Sequence, residues 1–292
     1  MAILDNGAAR LRALLREPEP VVAPGAYDAL SARLAEQAGF GAVYMTGFGA
    51  AASLLGRPDV GLLSFAEMAD QARRIVQAVG VPVIADADNG YGGALNVMRT
   101  VREYEAAGVA ALHLEDQVAP KRCGHMDGKQ VVAAGEMLEK LHAAVEARRS
   151  SQLVLIARTD ARAVEGLDAA LERARRYRDA GADVLFVEAP ESEAEIAAIS
   201  EALPGTPLLF NGLEGGKTPR MELRRLHELG FRIVLLPLTS LLAATRAVQE
   251  ALAQARVHAE PGAEGALPFE AFTDMVGLPA LRGVEARLAE PT

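Results

Sequence analysis

A single cysteine, Cys123, occurs among the 292 residues of the chain. One thiol cannot close an internal disulfide, so the fold does not rest on one, and a reducing cytoplasm suits it. Net positive charge is also missing. The formal charge is −9, which argues against a nucleic-acid partner, because such binders cluster Lys and Arg. An anionic small molecule stays open, since a local basic pocket can sit inside an acidic protein. No apolar run reaches the roughly 18 uninterrupted residues that a membrane span needs. Residues 1–20 are charged and lack the apolar core expected of a signal peptide. Apolar residues are abundant, at 50% against 24% charged, enough for one sizeable core.

One local pattern recurs four times. A helix-like stretch ends at glycine and an apolar run follows: Gly39 before 42–45, Gly108 before 111–114, Gly181 before 184–187, and Gly230 before 233–236. Glycine just past a helix suits the left-handed cap, where other residues strain. The runs are nearly continuous in apolar residues, as strands buried on both faces of a parallel sheet are. Four more strands are expected at 21–23, 81–85, 153–157 and 207–210. Amphipathic stretches near 29–37, 65–78, 95–107, 135–148, 167–180, 193–202, 221–229 and 241–255 lie between them. Eight strands alternating with eight helices predict an α/β fold, a single (β/α)8 TIM-type barrel over 1–256. A doubly wound open sheet is the alternative. A Pro- and Gly-richer C-terminal extension, 257–292, is expected to end in a short helix near 281–288.

In such barrels reactive groups gather where the strands end. Tyr44 and Thr46 stand at the second strand, Asp86 and Asp88 at the third, and Glu115 at the fourth. Arg158 ends the fifth, Glu188 the sixth, Asn211 the seventh, and Pro237 the eighth. Gly47-Phe48-Gly49 and Gly90-Tyr91-Gly92-Gly93 read as loops that let backbone approach a ligand. Asp86 and Asp88 share a strand face and Glu115 can add a third carboxylate. Oxygen donors of this kind suit Mg²⁺ or Mn²⁺, not zinc; the alternative is that the aspartates cap the next helix. In Lys121-Arg122-Cys123-Gly124-His125 the cationic flanks are expected to lower the thiol pKa; a buried inert cysteine is the alternative. Arg158 can clamp a carboxylate bidentately, or pair with Glu188 or Asp160.

Four segments, 86–93, 115–117, 121–125 and 157–160, together resemble the isocitrate lyase and phosphoenolpyruvate mutase superfamily, from about residue 21 to 247. The Lys-Arg-Cys-Gly-His run is similar to the signature of the lyase branch, that of the methylisocitrate and alkylmalate lyases; phosphonate-forming mutases generally lack it. The resemblance implies Mg²⁺ bound by Asp86 directly and by Asp88 and Glu115 through water, with Asp59 in support. It implies Cys123 as catalytic acid, with Tyr44, Arg158 and His125 also catalytic and Tyr44 a candidate to help remove a hydroxyl proton. Arg158 and the Gly47 backbone would hold the carboxylate of an α-keto fragment. Thr46, Phe48, Lys121, Arg122, Gly124, Glu188, Asn211 and Pro237 would complete the substrate site. The resemblance further implies a homotetramer exchanging the helix after Pro268; Gly124 and Gly128 are expected to hinge a mobile cysteine loop that closes over substrate.

Two departures bear on substrate. Met126-Asp127-Gly128-Lys129 replaces the Arg-Pro common after Cys-Gly-His in methylisocitrate lyases, and 211–219 is closer to alkylmalate- and oxaloacetate-acting relatives. That segment lacks the serines with which isocitrate lyase binds its third carboxylate. Oxaloacetate hydrolases tend to carry serine at the end of strand eight, where this chain has Leu236-Pro237-Leu238. The expected reaction is cleavage of a 2-hydroxy di- or tricarboxylate, 2-methylisocitrate narrowly ahead of an alkylmalate, into pyruvate or a related α-keto acid plus a carboxylate such as succinate. An oxaloacetate decarboxylase or hydrolase, a carboxyphosphonoenolpyruvate mutase-like enzyme and a non-catalytic metal-binding barrel are the alternatives.

Overall fold

The computed structural model describes residues 5–258 and 265–289. The expected Pro- and Gly-rich stretch lies partly in 259–264, outside the described residues. Eight parallel strands close in sequence order: β1 (Val21–Ala26), β2 (Val43–Met45), β3 (Val83–Asp86), β4 (Ala111–Glu115), β5 (Val154–Thr159), β6 (Val184–Val187), β7 (Leu208–Asn211) and β8 (Phe231–Leu236). Val21 opposite Ile233 and Pro24 opposite Leu236 join the last strand to the first. The helices are α1 (Asp5–Leu14), α2 (Ala29–Gln37), α3 (Gly47–Leu55), α4 (Phe65–Ala78), α5 (Ala94–Ala107), α6 (Ala134–Ala147), α7 (Ala161–Glu165), α8 (Leu167–Asp179), α9 (Glu193–Ala202), α10 (Leu223–Glu228), α11 (Thr239–His258), α12 (Phe269–Met275) and α13 (Leu278–Ala289). This is a (β/α)8 barrel with extra C-terminal helices.

The chain divides into two compact units, Met1–Leu241 and Leu242–Thr292. The sequence reading sets its boundary later, after 256, because α11 is one continuous amphipathic stretch that holds residues of both units. In the second unit α12 and α13 bury no side chain, and Phe269 is 83% exposed. Among the described residues no helix is long and apolar enough to cross a membrane.

Strand side chains alternate between two cores. One takes Tyr44, Ile84, Ile156, Phe186, Leu209, Ile233 and Leu235 and fills the barrel. The other takes Val43, Met45, Ala85, Leu112, Leu155 and Leu185 and packs against helix residues such as Met68, Ile75, Leu141 and Tyr177. This period of two fixes which strand-end residues look inward. α1 brings Ala8 and Leu11, both buried, to the interior core. Its mixed sequence gives it no helical signature, so tertiary packing and not periodicity makes it a helix.

The four repeated glycines all have positive φ, from 82° at Gly230 to 103° at Gly181, as the helix-to-strand pattern requires. Gly47-Phe48-Gly49 departs from the loop reading: it opens α3. Thr46 caps that helix, its Oγ1 accepting the Gly49 N–H at 3.3 Å. The six apolar or small residues that follow, Ala50 to Leu55, carry the turn onward, outweighing two glycines at a helix start, where they cost least.

Candidate active site

Continuing the inward alternation past each strand brings Tyr44, Asp86, Glu115, Arg158, Glu188, Asn211 and Pro237 to one end of the barrel. All line one cavity of ≈ 40 Å³, together with Thr46, Phe48, Asp59 and the loop residues Lys121, Arg122, Cys123, Gly124 and His125. Leu213 and Leu238 add an apolar wall. Of the residues expected from sequence, Gly47 and Asp88 do not face the cavity. They brace its floor instead: the Gly47 N–H donates to Asp86 Oδ2 at 3.2 Å and the Asp88 N–H to Asp86 Oδ1 at 2.9 Å. Asp88 sits at φ 47°, a left-handed conformation that aspartate tolerates better than most residues.

One side of the cavity is strongly acidic. Asp59, Asp86, Asp88 and Glu115 are all buried, and the Lys121 ammonium lies among them, 2.8 Å from Asp59 and 2.6 Å from Asp88. Burial alone would raise Asp86, but His113, Lys121 and Arg158 hold it at about 2. Burial, with Asp86 and Asp59 nearby, lifts Asp88 to about 6 against the pull of Lys121. Burial lifts Glu115 well above the usual carboxylate range. Its Oε1 has no hydrogen-bond partner, while Oε2 is 3.3 Å from Arg158 Nε. Among the described residues no three His, Cys, Asp or Glu side chains enclose a single point. The carboxylates share a rim, with the lysine between two of them.

The Cys123 loop adjoins this side and forms a second wall. The Gln117 side chain donates to the Arg122 carbonyl at 2.8 Å and accepts the Arg122 N–H at 2.9 Å. The Cys123 N–H donates to the Asp59 carbonyl at 3.2 Å. His125 Nδ1 accepts the Lys217 N–H at 3.0 Å, so Nε2 carries the ring hydrogen and faces Glu188 Oε1 at 3.2 Å. A Cβ on Gly124 would run into Glu188 and Arg158, so only glycine lets the loop come this close. Cys123 and Asp86 thus line one cavity.

The thiol itself departs from expectation. Burial pushes Cys123 up to about 11 instead of down. The basic flanks fail to depress it for identifiable reasons: Lys121 is spent on Asp59 and Asp88, and Arg122 is exposed. A raised acid stays protonated through neutral pH and is lost only as pH climbs toward that value. Iodoacetamide labelling of Cys123 should thus be slow at pH 7.5 and rise about tenfold per pH unit toward 10. A labelling rate that levels off near neutrality would contradict this.

Sequence reasoning missed three inward or loop groups, His113, Lys129 and Asp116, and offered Asp160 only as the alternative partner of Arg158. His113 Nε2 is 2.9 Å from the Tyr44 hydroxyl and 3.6 Å from Asp86 Oδ1; burial lowers it to about 4, so it is neutral. Burial raises Tyr44 well above 10, which keeps it a phenol. Asp160 grips Arg158 bidentately, at 2.9 and 3.1 Å, and Lys129 joins Asp160 at 2.9 Å. Asp116 accepts from Thr159, Tyr177 and the Asp160 N–H behind the site. His113 was open to discovery, because it lies two residues from Glu115 on the same strand face, as Asp160 does from Arg158. Lys129 carries no such signal.

The phosphoenolpyruvate phosphomutase family model matches residues 11–256. The chain is 49% identical to 2,3-dimethylmalate lyase of Eubacterium barkeri, over 97% of this chain and 99% of that one. It is 44% identical to 2-methylisocitrate lyase of Bacillus subtilis, over 86% of this chain and 82% of that one. Among solved structures, oxaloacetate acetylhydrolase in complex with 3,3-difluorooxalacetate superposes with TM-score 0.93 at 41% identity, covering 99% of each chain. Phosphonopyruvate hydrolase with oxalate and Mg²⁺ superposes at 0.88 with 32% identity, covering 98% of this chain and 100% of that one. The chain belongs to the phosphoenolpyruvate mutase/isocitrate lyase superfamily, among its carbon–carbon lyases.

Proposed function

We propose that this enzyme cleaves a methyl-substituted malate at the bond between its hydroxyl-bearing carbon and the neighbouring carbon, releasing pyruvate and a short carboxylate. For 2,3-dimethylmalate the second product is propionate. The observation that carries this reading is that a protonated thiol, Cys123, lines the same small cavity as Asp86, Glu115 and Arg158. The likeness to the dimethylmalate lyase, nearly end to end, favours that substrate over 2-methylisocitrate. So does the wall formed by Leu213, Pro237 and Leu238, which suits methyl groups and offers a third carboxylate no side-chain donor.

The acidic side supports an Mg²⁺ requirement. Its donors are all oxygen, and Glu115 keeps a buried oxygen without a partner, a combination that a hard cation relieves. Asp86 and Glu115, which line the cavity, would hold the ion, with Asp88 behind Asp86 and Asp59 in support; Mn²⁺ fits the same donors. When bound, the ion supplies Lewis-acid stabilisation of charge on the substrate's oxygens.

The remaining chemistry belongs to the chain. Arg158 offers a planar fork to the carboxylate beside the hydroxyl. Tyr44 retains its proton, so it serves as a donor toward the oxygen on which charge develops, not as the base that sequence suggested; His113 orients it from 2.9 Å. The hydroxyl proton passes to the Glu188 carboxylate, which lines the same cavity and is kept ionised by Arg158 and His125 against its burial; the O–H electron pair closes the ketone and the carbon–carbon bond breaks. The departing carbon takes the Cys123 proton, completing the carboxylate product. Burial keeps Cys123 loaded for this step at neutral pH, and the closed loop excludes water that would compete for it.

The reading is tested with Mg²⁺ and a panel of 2,3-dimethylmalate, 2-methylisocitrate and oxaloacetate, with keto acid, carbon dioxide and oxalate assayed as products. Pyruvate from dimethylmalate above the others is the expected result. Oxalate from oxaloacetate as the sole product would replace the lyase reading with hydrolysis. We infer further that the enzyme works in the cytoplasm as a homotetramer. The apolar side chains left exposed in the second unit, among them Leu252 and Phe269, support association; a sedimentation experiment tests it.

A further inference from the structure

A lysine on a loop ordinarily keeps its ammonium in water. Lys129 does not. Its side chain is 2% exposed, and its Nζ lies 2.9 Å from Oδ1 of the fully buried Asp160. The same ammonium donates to the Gly124 carbonyl, drawing in the glycine that abuts Arg158 and Glu188. Asp160 also receives Arg158, Nε on Oδ2 at 2.9 Å and Nη2 on Oδ1 at 3.1 Å. One carboxylate thus holds the buried cation of the cysteine loop and the cation that faces the substrate. That carboxylate is anchored. The Asp160 N–H donates to Asp116 Oδ1 at 2.9 Å, and Asp116 Oδ2 accepts from Thr159 at 2.7 Å and Tyr177 at 2.8 Å.

We propose that Lys129 is a positioning residue that holds the Cys123 loop and the Arg158 fork in one register through their shared carboxylate, Asp160. Its ammonium joins Asp160 Oδ1 to the Gly124 carbonyl while both Asp160 oxygens keep the fork, so the guanidinium's plane and the loop's approach to it are fixed together. Without the Lys129 charge, Asp160 and Gly124 lose their common anchor, and the fork no longer meets an incoming carboxylate in a set orientation. The proposal rests on the lyase reading only for which carboxylate Arg158 meets.

The test compares wild type, Lys129→Met and Lys129→Arg by calorimetric titration with oxalate, a planar two-carbon dianion resembling the pyruvate fragment, in the presence of Mg²⁺. Steady-state kinetics and melting temperature are measured in parallel. The methionine variant should bind oxalate and turn over substrate about 100-fold less well while melting cooperatively at a lower temperature, and arginine should restore most of the binding and turnover. A methionine variant binding oxalate within about threefold of wild type, whatever its turnover, would overturn the proposal. Should that variant not fold, Lys129→Gln, which keeps a donor for Gly124 without the charge on Asp160, is judged by the same two outcomes. A wild type that binds oxalate but releases no keto acid would refute the lyase reading, and the calorimetric comparison would still decide on Lys129.

Discussion

Cys123→Ser should lower kcat by roughly 10²–10⁴-fold and leave oxalate affinity within about threefold. The two effects separate because the residue's two jobs are separate. The loop is held by backbone and neighbours, through the Cys123 N–H on Asp59, the Gln117–Arg122 pair and the ammonium groups of Lys121 and Lys129. None of these uses the sulfur. Proton delivery does, and a serine hydroxyl in the same half-buried setting is a far weaker acid than a thiol. Single-turnover kinetics should show substrate bound and the cleavage step slowed. A serine variant within about tenfold of wild-type turnover would mean that the proton comes from elsewhere, with Tyr44 the next donor in the cavity.

Asp86→Asn should cost on the order of 10³-fold in kcat/KM, several kcal/mol of charge stabilisation being lost together with a carboxylate. Asp86 is the floor of the site in a literal sense. Its two oxygens order Gly47 at the start of α3 and Asp88 in its left-handed turn. It is also the carboxylate held most firmly ionised among the metal-site candidates, at about 2, against about 6 for Asp88. An amide there keeps the shape but removes the charge that a cation needs. A second readout does not depend on catalysis. Added Mg²⁺ should raise the melting temperature of wild type, as any ligand of the folded state does, and should leave the asparagine variant nearly unmoved. An equal rise in both proteins would remove Asp86 from the metal site.

The barrel was legible because its signals are local. Each of the four repeated glycines needs a positive φ, and each is followed by a strand buried on both faces, leaving a run with few polar residues. The strand-end residues were legible for the same reason, since alternation carries Tyr44, Asp86, Glu115 and Arg158 inward without knowledge of any partner. What sequence could not supply is who pairs with whom. The flanks of Cys123 read as a cationic field, yet Lys121 is neutralised by Asp59, distant in sequence and adjacent in space. Lys129 reads as a surface lysine until Asp160 closes on it from β5's end. α1 becomes a helix because Leu11 has a core to enter, and no pattern in its own residues announces that. Gly47 read as loop because two glycines close together usually are one; the Thr46 cap and the alanines that follow decide otherwise.

Cleavage of 2,3-dimethylmalate in deuterium oxide probes most directly the claim that a carbon–carbon bond is broken toward the acidic side and its leaving carbon is protonated by the loop thiol. Cys123 exchanges its proton with solvent, so wild-type enzyme should yield pyruvate together with propionate bearing one deuterium at C2, set on one face only. Propionate without carbon-bound deuterium, or with deuterium placed equally on both faces by wild type, would contradict delivery from a fixed thiol in the Asp86 cavity.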